Sequence, residues 1–265
     1  MVERGLVWVG TSWKMTKTIA EARAFIDEVA ASPVPDGIQP FVLPAHTALA
    51  AVRDRLPTNS PILLGAQNAH WGPEGAGTGE ISMRMVKDAG ASLVEMGHSE
   101  RREGFGETDE IVAAKAVAAL GHGLTPLICV GEPAAVRRGG LAEAFVAAQV
   151  RAALSRIPAD RLCDVILAYE PVWAIGLGGT PAQPKQIAPV MTAIVKTVAQ
   201  RDAAAVRAIL YGGGVDKHNA ARILADPHTD GLFVGRAGWA ARDFTALLEL
   251  IGSAVSPPSQ RAEPQ

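Results

Sequence analysis

The chain has 265 residues, 48 % of them hydrophobic and 20 % charged, with a formal net charge of −2. That balance fits a globular protein and provides neither a basic face for nucleic acid nor a global field for a membrane surface. Two cysteines, Cys129 and Cys163, are too few for a disulfide framework, and no stretch reaches the roughly 18 apolar residues of a spanning helix.

The segment Met1 to Gly5 precedes too short an apolar run for a signal peptide, so a reduced, cytoplasmic protein is expected. The first apolar run, Leu6 to Gly10, is followed by Thr11-Ser12-Trp13-Lys14 and a helical pattern over Ile19 to Ala31. Runs two and three are Pro40 to Leu43 and Ile62 to Gly65. Run four, Ser92 to Met96, leads into Gly97-His98-Ser99-Glu100-Arg101 and a helical pattern over Asp109 to Leu120. Run five, Leu124 to Val130, precedes a helix over Leu141 to Ile157, in which Ala144, Ala147, Ala148, Arg151 and Leu154 recur at helical spacing. Run six, Asp164 to Tyr169, is followed by Glu170-Pro171 and a helix over Gln186 to Ala199. Run seven, Arg207 to Tyr211, leads to Gly212-Gly213-Gly214 and a helix over His218 to Leu224. Run eight, Gly231 to Val234, leads to Gly235-Arg236 and a helix over Phe244 to Ile251.

Most of these runs are aliphatic and do not alternate, as expected of parallel strands buried on both faces. Eight strand-then-helix units in about 250 residues predict a closed (β/α)8 barrel in one domain, residues 1–253. An open doubly wound sheet is the competing arrangement, but no Gly-rich dinucleotide fingerprint follows the first run. Residues 254–265 form a Pro-rich polar tail that is expected to fray.

In such barrels the chemistry lies at the C-terminal strand ends. Lys14, His98 and Glu170 all fall on that rim. Singly, each has a plain alternative: a solvated lysine, a hydrogen-bonded structural histidine, a capping or salt-bridged carboxylate. Their convergence on one rim favours function. Glu100 and Arg101 read more as a structural ion-pair network. His46, His70, His122, His218 and His228 lie in or beside loops and are expected mostly at the surface. No His/Cys/Asp/Glu spacing resembles a metal site, and no metal is expected.

Glycines let a backbone approach a phosphate closely and point several N–H groups at it. Gly212-Gly213-Gly214 and Gly235 occupy the loops after strands seven and eight, where barrels often hold phosphate. The segment Trp173 to Thr180 is apolar and Gly-bearing. It suits a lid that excludes water and brings the Gly176 N–H to the phosphate, or else a plain βα loop.

Over roughly residues 5 to 251 the sequence resembles triosephosphate isomerase. The resemblance rests on Trp13-Lys14-Met15, Gly65-Ala66-Gln67-Asn68, Thr78-Gly79-Glu80-Ile81-Ser82 and Gly97-His98-Ser99-Glu100-Arg101-Arg102. It continues in Glu107-Thr108-Asp109, Cys129-Val130-Gly131-Glu132, Tyr169 to Gly176 and Tyr211-Gly212-Gly213. It implies a sugar-phosphate isomerase without a cofactor, with Glu170 as base, His98 as electrophile and Lys14 as charge-stabilising cation. It also implies a homodimer in which the loop around Thr78 reaches the partner's site.

The sequence departs from the family pattern at several points. Ser12 stands where the family has Asn, Gly179 where it has Lys, Gly214 where it has Ser, and Arg236 where it has a second Gly. Gly10-Thr11-Ser12-Trp13-Lys14 resembles a branch acting on four-carbon ketose phosphates, converting L-erythrulose 1-phosphate to D-erythrulose 4-phosphate. Ser12 would leave room beside the reacting carbons, and Arg236 would add donors near the phosphate. The alternatives are the three-carbon reaction of triosephosphate isomerase itself and a non-catalytic sugar-phosphate-binding barrel.

Overall fold

The computed structural model describes residues 5–176, 178–201 and 205–255. Eight parallel strands close into one barrel in sequence order, with the first paired to the eighth. The strands are β1 Val7–Ser12, β2 Ile38–Leu43, β3 Leu63–Ala66, β4 Leu93–Met96, β5 Thr125–Val130, β6 Ile166–Tyr169, β7 Ala208–Tyr211 and β8 Gly231–Val234. Around them lie α1 Ile19–Ala31, α2 His46–Arg53, α3 Met83–Asp88, α4 Ser99–Phe105 and α5 Asp109–Gly121. The outer layer continues with α6 Ala134–Arg138, α7 Ala142–Leu154, α8 Pro184–Ala199, α9 Ala220–Leu224 and α10 Ala241–Val255.

The long helices start where local chemistry dictates. Thr18 and Glu21 form a reciprocal capping box at α1, Thr108 accepts the Ile111 N–H at α5, and α8 opens on Pro184. Sequence periodicity did not reveal α2, α3, α4 or α6, which span at most eight residues. Helices that short depend on tertiary packing. In α7 the buried stripe is Val146, Val150, Ala153 and Leu154, while Ala144, Ala148 and Arg151 face outward. Only Ala147 and Leu154 of the expected set are buried. The last helix runs longer than its apolar pattern suggested. It buries Phe244, Leu247, Leu248 and Ile251 against the barrel, each contributing roughly 1.5–3 kcal/mol. It includes Ala254 and Val255 of the expected tail; the rest of that tail lies outside the described residues.

Inside the barrel, Trp8, Phe41, Leu43, Leu93, Leu127, Cys129, Ile166, Ala168, Leu210 and Phe233 form one packed cluster. Phe41 stacks on Phe233 with ring centroids 5.7 Å apart. A Cβ at Gly10 would sit 2.0 Å from the Phe41 ring, so glycine at that position makes room for it. A second, larger cluster joins the outer strand faces to the helices. The barrel is therefore a filled core, and only its rim is free for chemistry.

Candidate active site

Side chains on a strand alternate between faces, so each inward row continues upward to the rim. The row through Trp8 and Gly10 ends in Ser12. The row through Leu93 ends in Glu95, the row through Ile166 and Ala168 in Glu170, and the row through Leu210 in Gly212. β1 extends two residues beyond the expected run, because Thr11 and Ser12 pair with Val42 and Leu43 of β2. Ser12 is thus a buried strand residue and not part of a loop.

Lys14, His98 and Glu170 meet at this rim and line one cavity of about 650 Å3. His98 Nε2 is 3.4 Å from Glu170 Oε2. His98 caps α4, and its Nδ1 accepts the Glu100 backbone N–H at 3.0 Å. In the neutral ring the proton therefore belongs on Nε2, facing the cavity. Burial, then the Lys14 charge, pushes His98 down to about 4, so the ring is neutral near pH 7. Burial, then the charge of Glu95, pushes Glu170 up to about 8. A Cβ at Gly212 would come within 2.7 Å of Glu170 Cγ and 2.8 Å of Oε1. Glycine there clears space for the carboxyl group.

Lys14 adopts a left-handed backbone, φ 53°, which costs a non-glycine residue about 1–2 kcal/mol. Gln67 Nε2 holds it there, donating to the Lys14 carbonyl at 3.0 Å and the Leu43 carbonyl at 2.9 Å. The lysine Nζ bonds Glu100 Oε1 at 2.7 Å. Glu100 therefore belongs with the site, whereas Arg101 turns to the buried Glu107 at 2.9 Å. The expected Glu100–Arg101 structural network is divided between these two roles.

Gly176, Gly212, Gly214, Gly235 and Arg236 line the same cavity as the trio. Gly213 is buried beside it, where a Cβ would strike the Tyr211 hydroxyl and Pro171. Arg236 Nη2 donates to the Gly176 carbonyl at 2.8 Å, tying the β8 loop to the β6 loop. A 3-10 turn, Val172–Ala174, overlaps the start of the expected lid segment, and Leu177 lies outside the described residues. Glu132, fully buried, anchors the start of this loop. It accepts from Trp173 Nε1 at 2.7 Å and the Tyr169 hydroxyl at 3.1 Å, and pairs with Arg137 at 3.1 Å.

A second cavity of about 570 Å3 adjoins the first, sharing Ser12, Lys14, His98 and Glu100. Glu95 and Gln67 contribute to its wall, and Gly79 and Glu80 approach it. Thr78, in the same loop, is exposed and lines neither cavity. Glu95 is the site residue that sequence reading passed over. Its signal was a lone charge inside the apolar run Ser92 to Met96. His46, His70 and His228 are half-buried, contrary to the expected surface placement, and His46 bonds the Asn68 carbonyl at 2.6 Å. Among the described residues no group of three His, Cys, Asp or Glu side chains is arranged to hold a metal ion, and no helix is long and apolar enough to cross a membrane.

The family model for triosephosphate isomerase matches residues 7–251. The chain is 45 % identical over 247 residues to a Mycolicibacterium smegmatis protein named L-erythrulose-1-phosphate isomerase, covering 92 % of each chain. A protein of the same name from Mesorhizobium japonicum is 47 % identical over 256 residues, covering 95 % of this chain and all of its own. Another from Brucella abortus is 47 % identical over 245 residues, covering 91 % and 94 %. A match of this extent, on a closed eight-stranded barrel with the motif residues gathered at one rim, places the chain in the triosephosphate isomerase family.

Proposed function

We propose that the chain isomerises a four-carbon ketose phosphate, converting L-erythrulose 1-phosphate to D-erythrulose 4-phosphate. The observation that carries the chemistry is the 3.4 Å approach of Glu170 to a histidine whose Nδ1 already accepts a backbone N–H. A glutamate base beside a neutral histidine is the known chemistry of triosephosphate isomerase itself.

In its ionised form Glu170 takes the proton from C3, next to the C2 carbonyl. The C3–H electrons form the C2=C3 bond of an enediolate, and His98 Nε2–H donates to the oxygen on C2. His98 then moves a proton between the two oxygens, and Glu170 returns its proton to C2. The carbonyl ends on C3, and the phosphate carbon becomes C4 of the product. Lys14 offsets the negative charge on enediolate and phosphate. Gly176, Gly214 and Gly235 provide the close backbone approach for the phosphate, with Arg236 as an added cation.

The four-carbon substrate is dihydroxyacetone phosphate with one hydrogen of the far carbon replaced by CH2OH. Ser12, small and buried at the shared edge of the two cavities, leaves space for that group. The names of the similar proteins point the same way. The test is kcat/KM for L-erythrulose 1-phosphate and dihydroxyacetone phosphate side by side. A clear preference for the three-carbon substrate overturns the four-carbon assignment.

A homodimer completes this reading. Met15, Trp71, Met85 and Phe105 are large apolar side chains left exposed, and Met15 and Phe105 border the second cavity. Exposed apolar side chains beside the cavity suit a partner surface. Sedimentation at micromolar concentration should give a dimer; a monomer there removes this part of the reading.

A further inference from the structure

The mechanism above makes no use of Glu95, yet its position is unusual. The residue is 3 % exposed and ends an inward row whose lower member is Leu93. Burying a charge is costly unless it is paired. Among the described residues no Lys or Arg forms an ion pair with Glu95, and Lys14, whose charge acts on it, is bonded to Glu100. Its contacts are the Ser12 hydroxyl, donating at 3.1 Å, and the Cys129 thiol, a weak donor at 3.8 Å. An aliphatic side chain, such as Leu93, Leu127 or Leu210 lower in the barrel, would satisfy packing alone. Each carboxyl oxygen can accept a further hydrogen bond, and Glu95 lines the second cavity.

The two cavities give the substrate a direction. Gly176, Gly214, Gly235 and Arg236 line only the first, which therefore receives the phosphate. Glu95 lines only the second, and Ser12, Lys14 and His98 stand between them. Along the four-carbon chain the order is phosphate, C2 and C3, then the terminal C4 hydroxyl. With C2 and C3 at His98 and Glu170, C4 extends away from the phosphate, toward Ser12 and Glu95. We propose that Glu95, oriented by the Ser12 hydroxyl, hydrogen-bonds the C4 hydroxyl and sets the preference for the four-carbon substrate over the three-carbon one. This inference rests on the four-carbon reading above. A carboxylate would accept from the hydroxyl, and a protonated carboxyl would donate to it, so the contact survives either state. The three-carbon substrate lacks this hydroxyl and leaves Glu95 without the added partner, the situation in which buried polar groups discriminate strongly.

The experiment compares kcat/KM for L-erythrulose 1-phosphate and dihydroxyacetone phosphate in wild type, Glu95→Leu, Glu95→Gln and Ser12→Ala, with thermal melts to verify folding. The readout is the ratio of the two values. Glu95→Leu should shrink the four-carbon preference by on the order of 10–100-fold, the usual effect of losing one hydrogen bond to a charged group. Glu95→Gln, which keeps a hydrogen-bonding group of similar shape, should retain most of the preference. Ser12→Ala should lose part of it, and this variant decides the matter if the leucine variant does not fold. An unchanged ratio in Glu95→Leu or Ser12→Ala, or equal losses in the leucine and glutamine variants, overturns the role of Glu95. A wild type that prefers dihydroxyacetone phosphate overturns the four-carbon reading itself, and that result is seen before any variant is compared.

Discussion

His98 Nε2 stands 3.4 Å from Glu170 Oε2, and the other nitrogen of the same ring accepts the Glu100 N–H at 3.0 Å. The two contacts fix the roles of the pair. The backbone bond commits Nδ1 as an acceptor and turns an Nε2–H donor toward the carboxyl group and the cavity.

Base catalysis by Glu170 depends on reach. Glu170→Asp withdraws the carboxyl group by about 1 Å, and a displacement of that size costs turnover about 100-fold. The melting temperature should stay near that of wild type, since the backbone bond from Glu170 N to the Val130 carbonyl is kept. Near-normal kcat in this variant would remove Glu170 from the role of base.

The buried groups also predict how stability responds to pH. Glu170 rises from an ordinary 4.5 to about 8, and Glu95 from 4.5 to about 7, both chiefly through burial. The folded state therefore holds protons that the unfolded state has lost, and stability falls as pH rises from about 4.5 toward 8. His98 has the opposite sign. Lowered from 6.5 to about 4, it withdraws stability as pH falls through that interval. Glu170→Gln removes one of the carboxyl contributions. Its melting temperature relative to wild type should thus be more favourable at pH 9 than at pH 5, and a difference independent of pH would contradict the burial argument.

Arg236 should act on binding more than on chemistry. Its Nη2 reaches the Gly176 carbonyl at 2.8 Å from an exposed position at the rim. Arg236→Ala is expected to raise KM for the phosphorylated substrate about 10-fold, consistent with a partly solvated charged hydrogen bond, with a smaller change in kcat. A fall confined to kcat would place Arg236 elsewhere in the mechanism.

Gln67 touches neither Glu170 nor His98 by hydrogen bond, yet it holds Lys14 in its left-handed turn. Gln67→Ala leaves two carbonyls without this donor, at a cost of about 1–3 kcal/mol measurable by denaturant titration. Turnover should fall as well, because the Lys14 ammonium loses its fixed position. Unchanged stability and unchanged kcat together would show that the turn needs no such brace.

Much of this molecule is legible along the chain. Aliphatic runs such as Asp164 to Tyr169 and Gly231 to Val234 mark strands because parallel strands bury both faces, and polar residues where such runs stop mark the rim. Lys14, His98, Glu170 and the glycines after β7 and β8 were readable from that local rule. Short helices such as α3 and α4 were not, because so few residues carry too little periodicity. Nor was Glu95, since a single carboxylate inside an apolar run reveals neither its face nor its neighbours.

The order of strands and helices and the identity of the rim residues thus follow from local pattern, because each depends on side chains a few residues apart. Only the tertiary structure decided the Ser12–Glu95 contact across 83 residues, the Arg236–Gly176 tie across 60, and the division of Glu100 and Arg101 between site and scaffold. Those relationships arise where barrel closure brings distant strand ends together. Hydrogen bonds and buried charges depend on that through-space distance, which linear spacing does not contain.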